Sequence, residues 1–224
     1  MKFYCRKPKG FVDWAAYSTV SLMRFSFDLL SGYKKSSYLD TMDEKSVLTR
    51  CIFLETVAGV PGFAAGMIRH LQSLRKMERD HGWIHTLIEE AENERMHLMT
   101  FLQLKRPGPV FKYAVIVTQF FFTAGFSLMY LISPHFCHRF VGYLEEQAVV
   151  TYTDILTKLD EGKLPMWTNL PAPEIAVQYW KLGDGAMMRD VILAIRADEA
   201  HHRIVNHTLG DLDLKQDNPF GPGK

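Results

Sequence analysis

Apolar side chains recur every three or four residues along most of the chain, and proline, glycine and polar clusters separate the runs. The pattern predicts a succession of helices and an all-α fold. Residues 11–30 place Trp14, Tyr17, Val20, Phe27 and Leu30 at helical spacing before Gly32, an arm helix expected to pack against the bundle or a second subunit. The polar stretch 31–45 reads as a loop. A long helix is expected over 46–81, with Cys51, Leu54, Glu55, Ala58 and Gly62 along one broad face. It should bend where Pro61 removes a backbone hydrogen bond and crowds the Val57 carbonyl. Small residues between Ala58 and Gly66 thin its middle enough for another helix to come close.

The helix expected over 83–105 carries Leu87, Ala91, Glu94, Leu98 and Phe101 at helical spacing, and Arg106-Pro107-Gly108-Pro109 ends it. Its segment 88–94 reads as a mostly acidic, solvated face from which only Glu94 shares a side with His97. Residues 113–132 form a run of twenty without a charge. Ser133 then looks like an N-cap with Pro134 at the first helical position, opening a helix to about Leu159 that ends near Gly162. Along that helix Glu145, Ala148 and Tyr152 lie on one face. A three-proline loop over 164–173, a short helix over 174–182 and a last helix over 185–209, capped by Asp184 and closed by Gly210, complete the pattern. The polar tail 211–224 is expected to be loose. The resulting division is an arm (1–45), a four-helix bundle (46–210) and a tail.

Composition removes several function classes. With 26 basic and 25 acidic side chains the formal net charge is +1, which leaves no electrostatic footprint for nucleic acid. Cys5, Cys51 and Cys137 are odd in number and far apart, against both a disulfide scaffold and a zinc site, and consistent with a reducing compartment. Residues 1–10 are basic but lack the apolar centre of a secretory signal and are too few for a whole mitochondrial presequence, which fits a longer precursor that was trimmed.

The chemistry lies in three E-x-x-H units. On a helix this spacing projects both side chains from one face, so both reach a metal ion beside it. Glu78/His81 sits in a charged run followed by Gly82 and reads as a solvated helix end. Glu94/His97 and Glu199/His202 lie inside long helical patterns, and Glu55 and Glu145 are lone glutamates in otherwise apolar helices. Two lone glutamates plus two E-x-x-H pairs on four helices are the ligand set of a ferritin-like di-iron carboxylate bundle. Two ferrous ions of about +4 against four carboxylates of about −4 leave a near-neutral buried cluster, so metal should stabilise the fold. Ligands alone leave manganese, or an iron store, open. If residues 113–132 crossed a bilayer, Glu94/His97 and Glu145 would lie roughly 30 Å apart on opposite sides. The run is therefore read as the bundle's crossover helix, its bare apolar side lying on one leaflet.

The stretches Leu54-Glu55-Thr56-Val57-Ala58-Gly59-Val60-Pro61-Gly62, Asn93-Glu94-Arg95-Met96-His97-Leu98, Leu144-Glu145-Glu146 and Arg196-Ala197-Asp198-Glu199-Ala200-His201-His202 resemble the signature motifs of alternative oxidases, in order, within a similarity covering roughly residues 11–210. The resemblance implies a cyanide-insensitive terminal oxidase that oxidises ubiquinol, reduces dioxygen to water and pumps no protons. It further implies a dimer on the matrix face of the mitochondrial inner membrane. Carried over by residue, it makes Glu55, Glu94, His97, Glu145, Glu199 and His202 the ligands of two irons and Tyr152 a redox-active tyrosine beside them. Arg50, Cys51, Leu54, Ala148, Thr151 and Arg24 match positions of its quinol pocket, and Asn93, Trp180 and Asp198 its hydrogen-bonding residues behind the ligands. Gln147 departs from the family's usual third glutamate, at a position that is not a ligand. Arg50, one turn from a buried carboxylate, needs an anionic or polar partner. His70, His81, His85, His135, His138, His201 and His207 are read as surface or packing histidines. Two rivals remain: a di-iron monooxygenase of the quinone ring, whose product would carry an oxygen atom, and an iron-storage or structural bundle.

Overall fold

The computed structural model describes residues 5–31 and 44–221. Gly32 and most of the expected 31–45 loop lie outside the described residues. The chain forms α1 (Gly10–Leu30), α2 (Glu44–Ala58), α3 (Val60–Lys76), α4 (Trp83–Leu104), α5 (Pro109–Ile132), α6 (Pro134–Asp160), α7 (Pro165–Thr168), α8 (Glu174–Trp180) and α9 (Met188–Leu209). Among the described residues there is no strand, so the all-α expectation holds. The bundle is built from α2, α4, α6 and α9: α6 packs along α9, α2 and α3 lie against α4, and α1 lies against α6.

Helix starts follow local chemistry. The Ser133 hydroxyl accepts the Phe136 N–H at 3.3 Å, and Pro134 occupies the first turn of α6, where its missing N–H costs nothing. The α3 helix comes close to α4 because its facing positions are small. A Cβ on Gly62 would overlap the Leu87 carbonyl, so only glycine permits this approach of α3 to α4.

Several elements differ from expectation, each for a stated reason. The long 46–81 helix is two helices parted at Gly59, with Pro61 in the first turn of α3 rather than inside a continuous bend. α3 ends at Met77 in the left-handed region, and Gly82 (φ 83°) opens α4 instead of closing the preceding helix. Glu78/His81 therefore sits in the connection, where Glu78 is exposed and His81 Nδ1 pairs with Asp217 at 2.9 Å. The proline loop contains α7. Asp184 does not cap α9, which begins at Met188 and is capped by Asp190 accepting the Met187 N–H at 2.9 Å. The preceding residues are held extended instead: Ala172 N–H reaches Ala186 O at 2.9 Å and Met188 N–H reaches Leu170 O at 2.8 Å.

The tail, expected to be loose, is docked through residue 221. Leu212, Leu214 and Phe220 pack on Trp83, Val205 and Leu209, and Trp83 Nε1 donates to Gln216 O at 2.9 Å. α5 is the opposite case: only Phe126 and Tyr130 are buried along it, while Val110, Tyr113, Ile116, Phe120, Phe121 and Leu131 are exposed. It is long and apolar enough to cross a membrane, as is the 44–76 stretch, but the latter is half buried and carries Glu55.

Candidate metal centre

Each bundle helix delivers its ligand to the same interior point. Glu55 comes from α2, Glu94 and His97 from α4, Glu145 from α6, and Glu199 and His202 from α9, and all six are buried. Their ligand atoms fall into two groups, Glu55/Glu94/His97/Glu199 and Glu94/Glu145/Glu199/His202, within each of which the atoms lie inside 4.8 Å of one another. Glu94 and Glu199 belong to both groups, the arrangement of carboxylates that bridge two ions. α5 separates Glu94 from Glu145 in sequence, yet both sit in one group.

The donor atoms aim at a shared centre rather than at each other. His97 Nδ1 lies 3.4 Å from Glu94, 3.5 Å from Glu55 and 3.4 Å from Glu199, and His202 Nδ1 lies 2.8 Å from Glu94. Even so, Glu55 Oε2, both Glu94 oxygens, Glu199 Oε2 and His97 Nδ1 are buried without an aligned hydrogen bond. Buried polar atoms are ordinarily paired, so a converging set of unpaired ones fits cations at the centre.

The far side of His97 is fixed. Its Nε2 meets Asp198 Oδ2 at 3.2 Å, and the same oxygen accepts Asn93 Nδ2 at 2.9 Å and Trp180 Nε1 at 2.8 Å. That carboxylate orients the ring so that Nδ1 faces the cluster. Tyr152 O–H donates to Glu55 Oε1, and its ring lies parallel to Phe101 at 6.4 Å. Cys51, one turn before Glu55, is buried, and burial pushes its thiol well up, so it acts as a small apolar group.

Three of the six positions matched to a quinol pocket, Arg24, Arg50 and Thr151, are linked through side-chain bonds. Arg24 Nε donates to Asp28 at 2.8 and 3.0 Å and Nη1 to Thr151 Oγ1 at 3.0 Å. Arg50 Nη2 donates to the same Asp28, its Nη1 reaches Ser31 Oγ at 2.6 Å, and its guanidinium covers the Phe27 ring at 4.4 Å. Asp28 is thus the partner Arg50 requires. Its signal was an Arg24/Asp28 pair one turn apart in α1. Leu54 and Ala148 are half-buried beside Glu55 and Glu145. Glu90 was also missed. Assigned to the solvated face, it is half-buried, bonded to Asn206, and raised to about 7 by burial.

Without metal the centre crowds like charges. Burial raises Glu55 to about 8 and Glu145 well above the carboxylate range, and the neighbouring Glu94 and Glu199 charges add to both shifts. His202 rises to about 9 despite its burial, because Glu94 favours the imidazolium. Glu94 itself is held low against burial by His97 and His202. Glu55 and His202 have folded values above their ordinary 4.5 and 6.5. The stability they contribute is therefore present at low pH and lost as pH rises through about 8 and about 9. The chelated chain should lose thermal stability between about pH 5 and pH 9, while the metal-loaded chain, with cations in place of protons, should not. Calorimetry of both forms across that range checks this; a gap that stays constant or narrows with pH contradicts it.

Known proteins resemble this chain along most of its length. A family model described as alternative oxidase matches residues 1–211. The mitochondrial alternative oxidase of Aspergillus niger is 53% identical over 223 residues, covering 96% of this chain and 64% of that protein. That of Trypanosoma brucei brucei is 52% identical over 219 residues, covering 96% and 65%. The chain spans about 64% of the length of such relatives. With the motifs, the helices that present them and the matched length all in accord, this chain belongs to the alternative oxidase family.

Proposed function

We propose that this chain is a ubiquinol oxidase that passes four electrons from two quinols to one dioxygen and releases two waters, without pumping protons. In this reading two iron ions are held by Glu55, Glu94, His97, Glu145, Glu199 and His202, within a catalytic unit spanning 46–210. The observation that carries it is the sharing of Glu94 and Glu199 between the two ligand groups. Bound iron would supply the site at which dioxygen is taken up and reduced. Four carboxylates offset its charge, and Asp198 holds His97 in the ligating orientation. Arg24 and Arg50, both bonded to Asp28, and Thr151, bonded to Arg24, suit the hydroxyls of a neutral quinol, because the aspartate offsets part of the guanidinium charge. Cys51, Leu54 and Ala148 would line its apolar ring. Tyr152, bonded to Glu55, can pass a proton to that carboxylate.

The exposed apolar side of α5 supports residence in one leaflet. The relatives are named as mitochondrial, which supports a mitochondrial setting, and the matrix face of the inner membrane is the site we assign. Phe63, Met67, Leu71, Leu74 and Met77 form an exposed apolar stripe on α3 and its end, which supports a homodimer.

The test is to count iron in the purified chain and follow oxygen uptake with a short-chain ubiquinol in the presence of cyanide. Two irons per chain and water as the only oxygen product support the reading; an oxygenated quinone makes it a monooxygenase, and ferric mineral uptake without quinol turnover makes it a store. For the membrane, cysteines placed at Val110 and Leu131, near the two ends of α5, should both be labelled from the same side of sealed vesicles. Labelling from opposite sides would mean that α5 spans.

A further inference from the structure

The α4 and α9 helices face each other through two rungs. The first is the ligand pair, His202 Nδ1 lying 2.8 Å from Glu94 Oε1. The second is one turn away on each helix: Asn206, four residues after His202, donates Nδ2 to Glu90, four residues before Glu94, at 2.8 Å to Oε1 and 3.0 Å to Oε2. The same nitrogen reaches the His202 carbonyl at 3.1 Å, so the rung grips the turn of α9 that presents the ligand.

The orientation of Asn206 is fixed from behind. With Nδ2 committed to a carboxylate, its Oδ1 faces His138 Nδ1 at 3.2 Å, which therefore carries the proton. His138 Nε2 is left to accept the Tyr130 hydroxyl at 3.3 Å. Burial holds His138 down at about 4, neutral as this pattern requires. Tyr130, His138 and Asn206 are each only 2% exposed, so the chain of bonds is shielded from water and cannot exchange partners with it.

We infer that Glu90, locked by Asn206, is a positioning residue for the Glu145/His202 side of the metal pair, fixing the His202 turn and placing an additional negative charge behind that ring. The inference rests on the metal-pair reading above. A neutral crosslink would hold two helices as well, so the choice of a carboxylate calls for a reason. Glu90 is penalised first by burial and further by the charges of Glu94 and Glu199, and is relieved by His202. A carboxylate kept in such a place is compensated when cations occupy the centre. On the other side of the pair, Asp198 does the corresponding work for His97 by a direct bond.

The test titrates the chelated full-length chain with ferrous iron under anaerobic conditions, counting ions bound and recording thermal unfolding of the chelated form. In Glu90→Leu and in Asn206→Leu one ion should bind as in the parent and the other about 10- to 100-fold more weakly, the cost usual for losing an outer partner of a ligand. Glu90→Gln keeps an acceptor for Asn206 and should show a smaller loss at the same single site. The chelated form of Glu90→Gln should unfold at or above the parent's temperature, because a crowded charge is gone. Parent-like binding of both ions in the Glu90 variants overturns the inference. So does equal weakening of both ions together with a less stable chelated form, the mark of a plain structural strut. Should Glu90→Leu fail to fold, Glu90→Gln decides by the same criterion. A parent that binds fewer than two ions sinks the metal-pair reading, and this inference with it; a parent that binds two while the variants match it sinks this inference alone.

Discussion

Glu94→Ala and His202→Ala should each abolish quinol oxidase turnover while leaving the helical fold in place, and they should differ in how much iron they lose. Glu94 contributes to both ligand groups, so its removal should empty or weaken both positions; His202 contributes to one, so its loss should leave one ion behind. Removing an outer partner of a ligand commonly costs 10- to 100-fold in affinity or activity, and losing a ligand outright should exceed that, giving a fall of more than about 100-fold. Folding is not the expected cause. The metal-free centre already crowds four carboxylates, and Glu94→Ala removes one of them, although it also strips His97 and His202 of the charge that favours their protonated forms. Glu78→Ala is the control: that E-x-x-H copy lies in the α3–α4 connection with Glu78 exposed, so its iron and rate should match the parent's. Iron content, circular dichroism and oxygen uptake measured on the three variants decide the matter. Parent-like turnover with a full iron complement in either ligand variant would refute the ligand set.

The six candidate ligands that the structure buries together were legible because they break local rules. A lone glutamate such as Glu55 on a buried helical face is costly, and an E-x-x-H spacing fixes which two side chains share a side before anything is known of the fold. The helices around them were legible from periodicity, and the Ser133/Pro134 start from cap chemistry. What escaped was set by partners far away in sequence. Glu90 sits in the run Glu89-Glu90-Ala91-Glu92, which looks solvated by composition, and only Asn206, on another helix, shows that it turns inward. Asp28 declares itself only when Arg50 arrives from α2. The α9 start moved because residues 170–172 pair with 186–188, a tertiary contact no local propensity encodes. In the tail, polar residues mask Leu212, Leu214 and Phe220, whose spacing is not helical but whose target, Trp83, is waiting at the start of α4.

Tyr152→Phe should keep the irons and the fold and lose most of the oxidase activity. The sequence placed Tyr152 two turns past Glu145, roughly 10 Å along the helix axis, with its ring able to lean back toward the cluster. In the structure the contact is with the other lone glutamate: the hydroxyl donates to Glu55 Oε1 from across the bundle. Burial and the Glu55 charge raise the phenol well above its usual value, so it stays protonated, and it yields an electron only if its proton leaves at the same time. Glu55 is placed to take that proton, so in the proposed reaction the phenol would lose its proton over this bond while its electron would go to the oxidised metal pair. Phenylalanine retains the ring stacked on Phe101 but has no proton to give. Losing one buried hydrogen bond should cost about 1 kcal/mol of stability, too little to unfold the chain. Losing a positioned proton donor typically costs 100-fold or more in rate, so turnover should fall by about that factor. Iron content, thermal unfolding and quinol-dependent oxygen uptake, measured side by side, separate the two effects. A variant that binds both irons, melts near the parent and turns over at the parent's rate would make Tyr152 a packing residue whose hydroxyl serves only to satisfy Glu55.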